Sequence, residues 1–191
     1  MKKGKIYLLT VLLLILSGCA TPYYYDLYIP PQKNLTSLQI TKVLRVEDIE
    51  TNEAFWFRRM AYRKSTYKIK YFQFKQWAKS PGELIKDTIV RFYRNSSLFK
   101  KVIEDFSNME PDMMMKVHID ALEMLHQEKH WFAHLALYIE IIDAKSEKII
   151  LTHSFDRKKR IKGRKPRYVP EKISRVLQEE LLKIVKKLKQ L

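Results

Sequence analysis

Apolar side chains return at every second position in several stretches of this chain. Tyr67, Ile69 and Tyr71 alternate with Lys68 and Lys70. Met113, Met115, Val117, Ile119 and Ala121 alternate with Lys116, His118 and Asp120. Ala133, Leu135, Leu137, Ile139 and Ile141 do the same with His134 and Glu140. Successive strand residues point to opposite faces, so each stretch reads as a strand with one buried face. Leu38 to Val46, Lys101 to Ile103 and Ile149 to Phe155 add further strands, and Glu47 to Glu53 reads as a polar loop. Arg63-Lys64-Ser65-Thr66 reads as a hairpin connection between aromatic-rich segments. Asp143 to Lys148 reads as a turn, so the last three strands form an antiparallel meander.

Two stretches carry the helical period instead. Ser80-Pro81-Gly82-Glu83 supplies a capping serine, a proline for the first helical position and a capping-box carboxylate. Leu84, Ile85, Thr88, Ile89, Phe92 and Tyr93 then share one face, and the helix should end near Asn95-Ser96. Val169-Pro170-Glu171 opens the second helix, with Ile173, Val176, Leu177, Leu181, Ile184, Val185 and Leu188 in a stripe opposite a Lys- and Glu-rich face. Elements with one apolar face each bury best as an α+β two-layer sandwich, both helices on one side of an antiparallel or mixed sheet.

The N-terminus follows other rules. Lys2, Lys3 and Lys5 precede the apolar run Ile6 to Leu16, too short for a bilayer core that needs about 20 residues. Leu16-Ser17-Gly18-Cys19 then ends a charged head, apolar middle and small-residue exit, the build of an export signal. It reads as a bacterial lipobox, which makes Cys19 the lipidation site, carrying a covalent N-acyl diacylglycerol group. The expected organisation is a signal peptide over 1–18, a lipidated cysteine with a Pro/Tyr-rich tether over 19–35, and one α+β domain over 36–191. In the tether, Pro22, Pro30 and Pro31 favour extended chain. Tyr23-Tyr24-Tyr25 would lie at headgroup level or pack on the domain's flank.

Charge and cysteine usage narrow the function classes. Cys19 is the single cysteine, so no disulfide or thiolate metal site remains once it is acylated. The formal charge is +16, and removing the signal's three lysines leaves +13. In an exported protein that balance points to anionic headgroups or an acidic partner, not nucleic acid. The cations concentrate in a basic loop, Arg157 to Arg167, holding Arg157, Lys158, Lys159, Arg160, Lys162, Arg164, Lys165 and Arg167. This loop is the candidate anionic-surface site.

Catalytic patterns are weak. His126-Gln127-Glu128-Lys129-His130, with His134 beyond, puts Gln127 where a zincin needs its glutamate, and falls at a strand-to-strand turn. There is no nucleophile elbow, and the 4 glycines build no phosphate loop. Asp105, Glu110, Asp112 and Asp120 are scattered. The expectation is a protein without enzymatic activity, cofactor or metal. Met113, Met115 and Trp77 are expected in the core.

The chain resembles the ABC-type transport auxiliary lipoproteins, the group that includes the PqiC-like periplasmic components. The marks are Cys19 followed by Tyr23-Tyr24-Tyr25, then Met60-Ala61-Tyr62-Arg63, and Tyr71 leading to Trp77-Ala78-Lys79-Ser80-Pro81. Ser97-Leu98-Phe99-Lys100-Lys101-Val102 and the amphipathic C-terminal helix complete the order. The basic Arg157–Arg167 segment departs from the family's usual balance. The resemblance implies an anchored docking component of an intermembrane lipid transport system, with an MCE-domain protein as partner. A lipoprotein that itself carries lipid, or assists lipopolysaccharide assembly, is the alternative. Ala20 after Cys19 fits sorting to the inner leaflet of the outer membrane, facing the periplasm. A monomer and a homo-oligomeric ring both fit the patterns.

Overall fold

The computed structural model describes residues 21–32 and 39–190. Cys19 with the expected lipobox, residues 33–35 of the tether and residues 36–38 of the expected domain lie outside the described residues. The described chain runs β1 (Tyr23–Tyr25), β2 (Ile40–Val46), β3 (Glu50–Thr51), β4 (Arg59–Ser65) and β5 (Lys68–Trp77), then α1 (Pro81–Ser96) and β6 (Phe99–Ile103). It continues through β7 (Met113–Gln127), β8 (His130–Asp143), β9 (Ile149–Ile161) and α2 (Val169–Leu188). The strands form one mixed nine-stranded sheet, curled into a half-barrel, with both helices on its inner face. This is the α+β sandwich that the periodicity predicts.

β7 is the spine. One edge pairs with antiparallel β8 from Met113–Asp143 to Gln127–His130. The other edge is covered in succession by β2, β3 and β4, all parallel, at Met113, His118 and Glu123. β9 continues the meander outside β8. β6 lies outside β2, β5 forms a hairpin on β4, and β1 runs parallel to β5.

A bulge sits in the spine. Between Ile119–Leu137 and Ala121–Ala136, β7 advances two residues while β8 advances one. Before it, Met113, Met115, Val117 and Ile119 face the helices; after it Leu122 and Met124 do, and Glu123 turns outward opposite His134. The alternation therefore changes phase at the bulge, and β7 extends six residues past the Ala121 at which the sequence pattern stops.

α1 packs on β6, β2 and β3, and α2 on β8 and β9. Glu83 accepts the Ser80 backbone N–H at 3.0 Å, closing the predicted capping box. Gly82 lets this helix end approach the sheet, because a Cβ there would stand 3.0 Å from the Ile49 carbonyl oxygen. Lys86 bridges Asp48 and Asp105, tying α1 to the loops after β2 and β6. Ile85, Ile89, Ile173, Leu177, Leu181 and Ile184 are fully buried between the layers.

Two expectations need correction and a third is narrowed. Within the tether, Tyr23–Tyr25 are extended as an edge strand on β5 and Leu27 is fully buried, the flank-packing alternative. Proline density sets the backbone only near Pro30 and Pro31, where no strand is needed. The Glu47–Glu53 loop contains the two-residue β3, too short to carry a periodic signal. The basic loop is half strand, because β9 runs on to Ile161.

Trp77, Met113 and Met115 are buried, as expected. The Trp77 backbone N–H donates to the Arg58 carbonyl at 2.6 Å, and Ala78 N–H donates to Tyr25 at 2.7 Å, so the indole sits where β1, β4 and β5 meet α1. Trp77→Ala is expected to cost about 3–5 kcal/mol of stability, the usual range for removing a buried ring. Chemical denaturation measures this; an unshifted midpoint would remove Trp77 from the core.

Candidate interaction surface

The strand character of β9 divides the basic segment between two faces. Odd positions face α2 and even positions face away from the helices. Arg157 donates to Glu180 at 2.9 Å and Lys159 to Glu179 at 2.8 Å, so these two cations are neutralised against α2. Lys158 and Arg160 are exposed on the outer face, and Lys162 and Lys165 are exposed in the turn that follows. Among the described residues none of these four holds an ion pair.

Arg164 and Arg167 have aromatic partners instead. The Arg164 guanidinium lies 5.0 Å from the Tyr62 ring centroid, 5.7 Å from Trp131 and 5.9 Å from Phe72. It thereby pins the basic turn across β4, β5 and β8. Arg167 stacks on Tyr168 at 5.0 Å and donates to its hydroxyl at 3.1 Å, which holds that hydroxyl below its ordinary pKa. Of the eight cations singled out in the sequence, four remain free to meet an external anion.

A buried ionic cluster joins β9 to α2. Glu180 is 1% exposed and accepts from Arg157, from Lys183 at 2.8 Å and from His153 Nε2 at 3.0 Å. Burial pushes its carboxyl up, but the hydrogen bonds from Lys183 and His153 outweigh that and leave it below the ordinary range. Lys187 donates to His153 Nδ1 at 3.1 Å, which fixes the neutral tautomer with the proton on Nε2. Burial, together with the charges of Lys187 and Lys183, holds the His153 pKa below its ordinary value against the pull of Glu180.

On the outer face a second polar row crosses the sheet. Arg63 on β4 donates to both Glu123 oxygens at 3.1 Å. The His134 ring faces Glu123 at 3.2 Å and Asp156 at 2.9 Å. This row floors a groove of about 550 Å³ that also takes in Lys64, His126 and Lys158. His126 stacks on Trp131 at 4.7 Å, and Glu128 and Lys129 form the tight β7–β8 turn at positive φ. The histidine-rich segment is thus a hairpin turn, and its histidines point to different neighbours.

The periodicity reading does not single out Glu123, His153 or Glu180. A signal exists for Glu180, which interrupts the apolar stripe between Leu177 and Leu181. Glu123 stands likewise alone inside Ala121–Leu125.

The His153 cluster makes stability pH-dependent. The folded pKa of His153 lies below the ordinary 6.5, so on acidification the unfolded chain takes up the proton first. The stabilisation is present above that value and lost as pH falls from it through the folded pKa. Thermal midpoints are expected to drop below about pH 6.5, with a shallower slope in His153→Gln. Equal slopes would assign the acid sensitivity elsewhere.

Comparison with known proteins places this architecture. No curated protein matches the chain. The Xanthomonas campestris protein XCC0632, of family DUF330, is 14% identical, with a TM-score of 0.75 over 87% of this chain and 93% of its own. A hypothetical protein of Chlamydia trachomatis, CT253, is 9% identical with a TM-score of 0.53, over 76% of this chain and 96% of its own. A PelC dodecamer from Paraburkholderia phytofirmans is 10% identical with a TM-score of 0.50, over 78% of this chain and 90% of its own. These likenesses are of fold. No helix among the described residues is long and apolar enough to cross a membrane. The family described as the ABC-type transport auxiliary lipoprotein component matches residues 25–185, nearly the whole described body, and the chain belongs to that family.

Proposed function

We propose that this chain is a lipid-anchored, non-enzymatic docking component of an ABC-type system that moves lipid between the two membranes. The family match over residues 25–185 carries the reading. The diacylglyceryl anchor sits on Cys19 and holds the domain at the periplasmic leaflet of the outer membrane. An MCE-domain protein of the same transport system docks on the folded body. The layer between helices and sheet is filled by fully buried Leu, Ile, Val and Met side chains. Two surface grooves, one at His118 and one at His134, are lined mostly by charged and polar side chains. Both features support a docking body over a carrier, which needs an apolar chamber for acyl chains. The fold shared with the dodecameric PelC supports a homo-oligomeric ring as the arrangement in which the chain works.

The free cations Lys158, Arg160, Lys162 and Lys165 serve as the anionic-surface contact in this reading, while Arg157, Lys159, Arg164 and Arg167 hold the segment's shape. Each free cation contributes about 1 kcal/mol near an acidic surface. Changing all four to Gln is expected to weaken binding to phosphatidylglycerol vesicles by more than about tenfold at low salt, with no loss of thermal stability. The Cys19→Ser background keeps the acyl chains from masking the change. Unaltered binding would remove the segment from the contact.

The function is tested in detergent-solubilised membranes. Wild-type chain should incorporate labelled palmitate and co-purify with an MCE-domain protein, whereas Cys19→Ser should lose the label. Stoichiometric extractable lipid inside the domain, with no protein partner, would instead assign a lipid carrier.

A further inference from the structure

β1 ends the sheet, and no strand among the described residues pairs with its outer edge. Its Tyr23 and Tyr24 rings are 60% and 56% exposed, and Phe57, just before β4, is 57% exposed. Each ring carries a cation. Lys75 Nζ stands 3.4 Å from the Tyr23 centroid, the Arg58 guanidinium 5.2 Å from Tyr24, and Arg59 5.9 Å from Phe57. Tyr23 is paired with Lys75 in register and Arg58 reaches from the β4 end onto Tyr24, so the two rings flank the β1 edge from its two faces. Arg58 also donates to the Trp77 and Ala78 carbonyls, which sets its position rigidly at this corner.

Exposed rings with polar tips, interleaved with cations on apolar stems, are the chemistry of a membrane–water interface. The rings stand at and beside an edge strand and line none of the surface grooves among the described residues. Among the described residues, Arg58, Arg59 and Lys75 enter no salt bridge, so their charge is available to phosphates. The chain supplies the position. Tyr23 follows Cys19 by four residues, and extended chain reaches at most about 3.6 Å per residue, so the edge lies within about 14 Å of the acylated cysteine.

We propose that Tyr23, Tyr24 and Phe57, with Arg58, Arg59 and Lys75, rest on the headgroup layer of the bilayer that holds the Cys19 lipid. The rings enter the interface and the cations meet lipid phosphates. The inference rests on the lipid anchor of the preceding section. It adds a second point of attachment, which fixes how the body stands on the membrane.

The test uses the full-length lipidated protein in phosphatidylethanolamine–phosphatidylglycerol vesicles containing lipid brominated on the upper acyl chain. Trp56→Phe removes the exposed native indole. On that background Tyr24→Trp reports from the edge. Tyr67→Trp reports from the β4–β5 turn, eight residues or about 26 Å along the strand from Lys75 and 98% exposed. Bromolipid should quench Tyr24→Trp emission at least about twofold more than Tyr67→Trp emission, and Phe57→Trp should behave like Tyr24→Trp. Equal quenching in protein that floats with the vesicles would overturn the proposal and leave the anchor standing. A Tyr24→Trp reporter shielded from iodide yet unquenched by bromolipid would assign the edge to a protein surface, and also overturn it. Protein that fails to float would overturn the anchor, and this inference with it.

Discussion

Both edges of β7 are hydrogen-bonded along most of its length, and the rest of the molecule takes its place from that. β8 covers one edge from end to end apart from the bulge at Asp120, while β2, β3 and β4 share the other. A parallel neighbour requires the chain to return before it pairs again, so β2, β3 and β4 share one direction along this edge, opposite to that of β5 and β1. The consequence is a sheet whose middle is fixed by long-range pairing and whose ends are β9 on one side and β6 and the β5–β1 pair on the other. The bulge after Ile119 adds local twist and curl, and it turns Glu123 toward Arg63 and His134. One inserted residue thus adds to the curl of the sheet and places Glu123 in the outer polar row.

The ionic cluster at Glu180 sets two of the chain's many cations, Arg157 and Lys183, against one buried carboxylate. A lone carboxylate at that depth would be expensive, and removal of one partner from a buried pair typically costs about 3–5 kcal/mol. Here Arg157, Lys183 and His153 satisfy it together, and Lys187 satisfies the far side of the histidine. The cluster fixes the register of α2 on β9. It also draws cations out of the surface field, so the positive charge left outside is sorted by strand parity and turn geometry. Runs of Lys and Arg that look uniform in sequence are divided in this way into structural and free members.

Legibility in the sequence followed the strength of the period. Each helix came from a stripe plus a capping signal, and Ser80 with Glu83 forms the contact that those residue types imply. The meander came from alternation, but only as far as the alternation held its phase. Past Ile119 the bulge shifts the buried set from odd to even positions, and a period-2 reading ends there by construction. Past Phe155 the buried-face positions are Arg157 and Lys159, whose burial partner is a carboxylate on α2, so hydrophobicity cannot mark them as strand. Tyr23–Tyr25 failed for a third reason. A three-residue edge strand has no period of its own, and its pairing with β5 is set by residues some fifty positions away.

The edge at β1 raises a physical problem that the anchored reading resolves. An open edge with exposed tyrosines invites a second chain to pair with it, and proteins blunt such edges with short strands and nearby cations. β1 is three residues long, and Lys75 and Arg58 stand over its rings. Those devices suppress strand addition without hiding the rings, so apolar area remains available to something that is not a strand. A bilayer interface satisfies aromatic bodies and cations at once and forms no backbone ladder. A body tethered by a single lipidated residue is free to roll about that point. In the proposed arrangement the adjoining edge is seated as well, which would hold the outer groove and helices at a constant attitude to the membrane, as docking of a transport partner in one orientation would require.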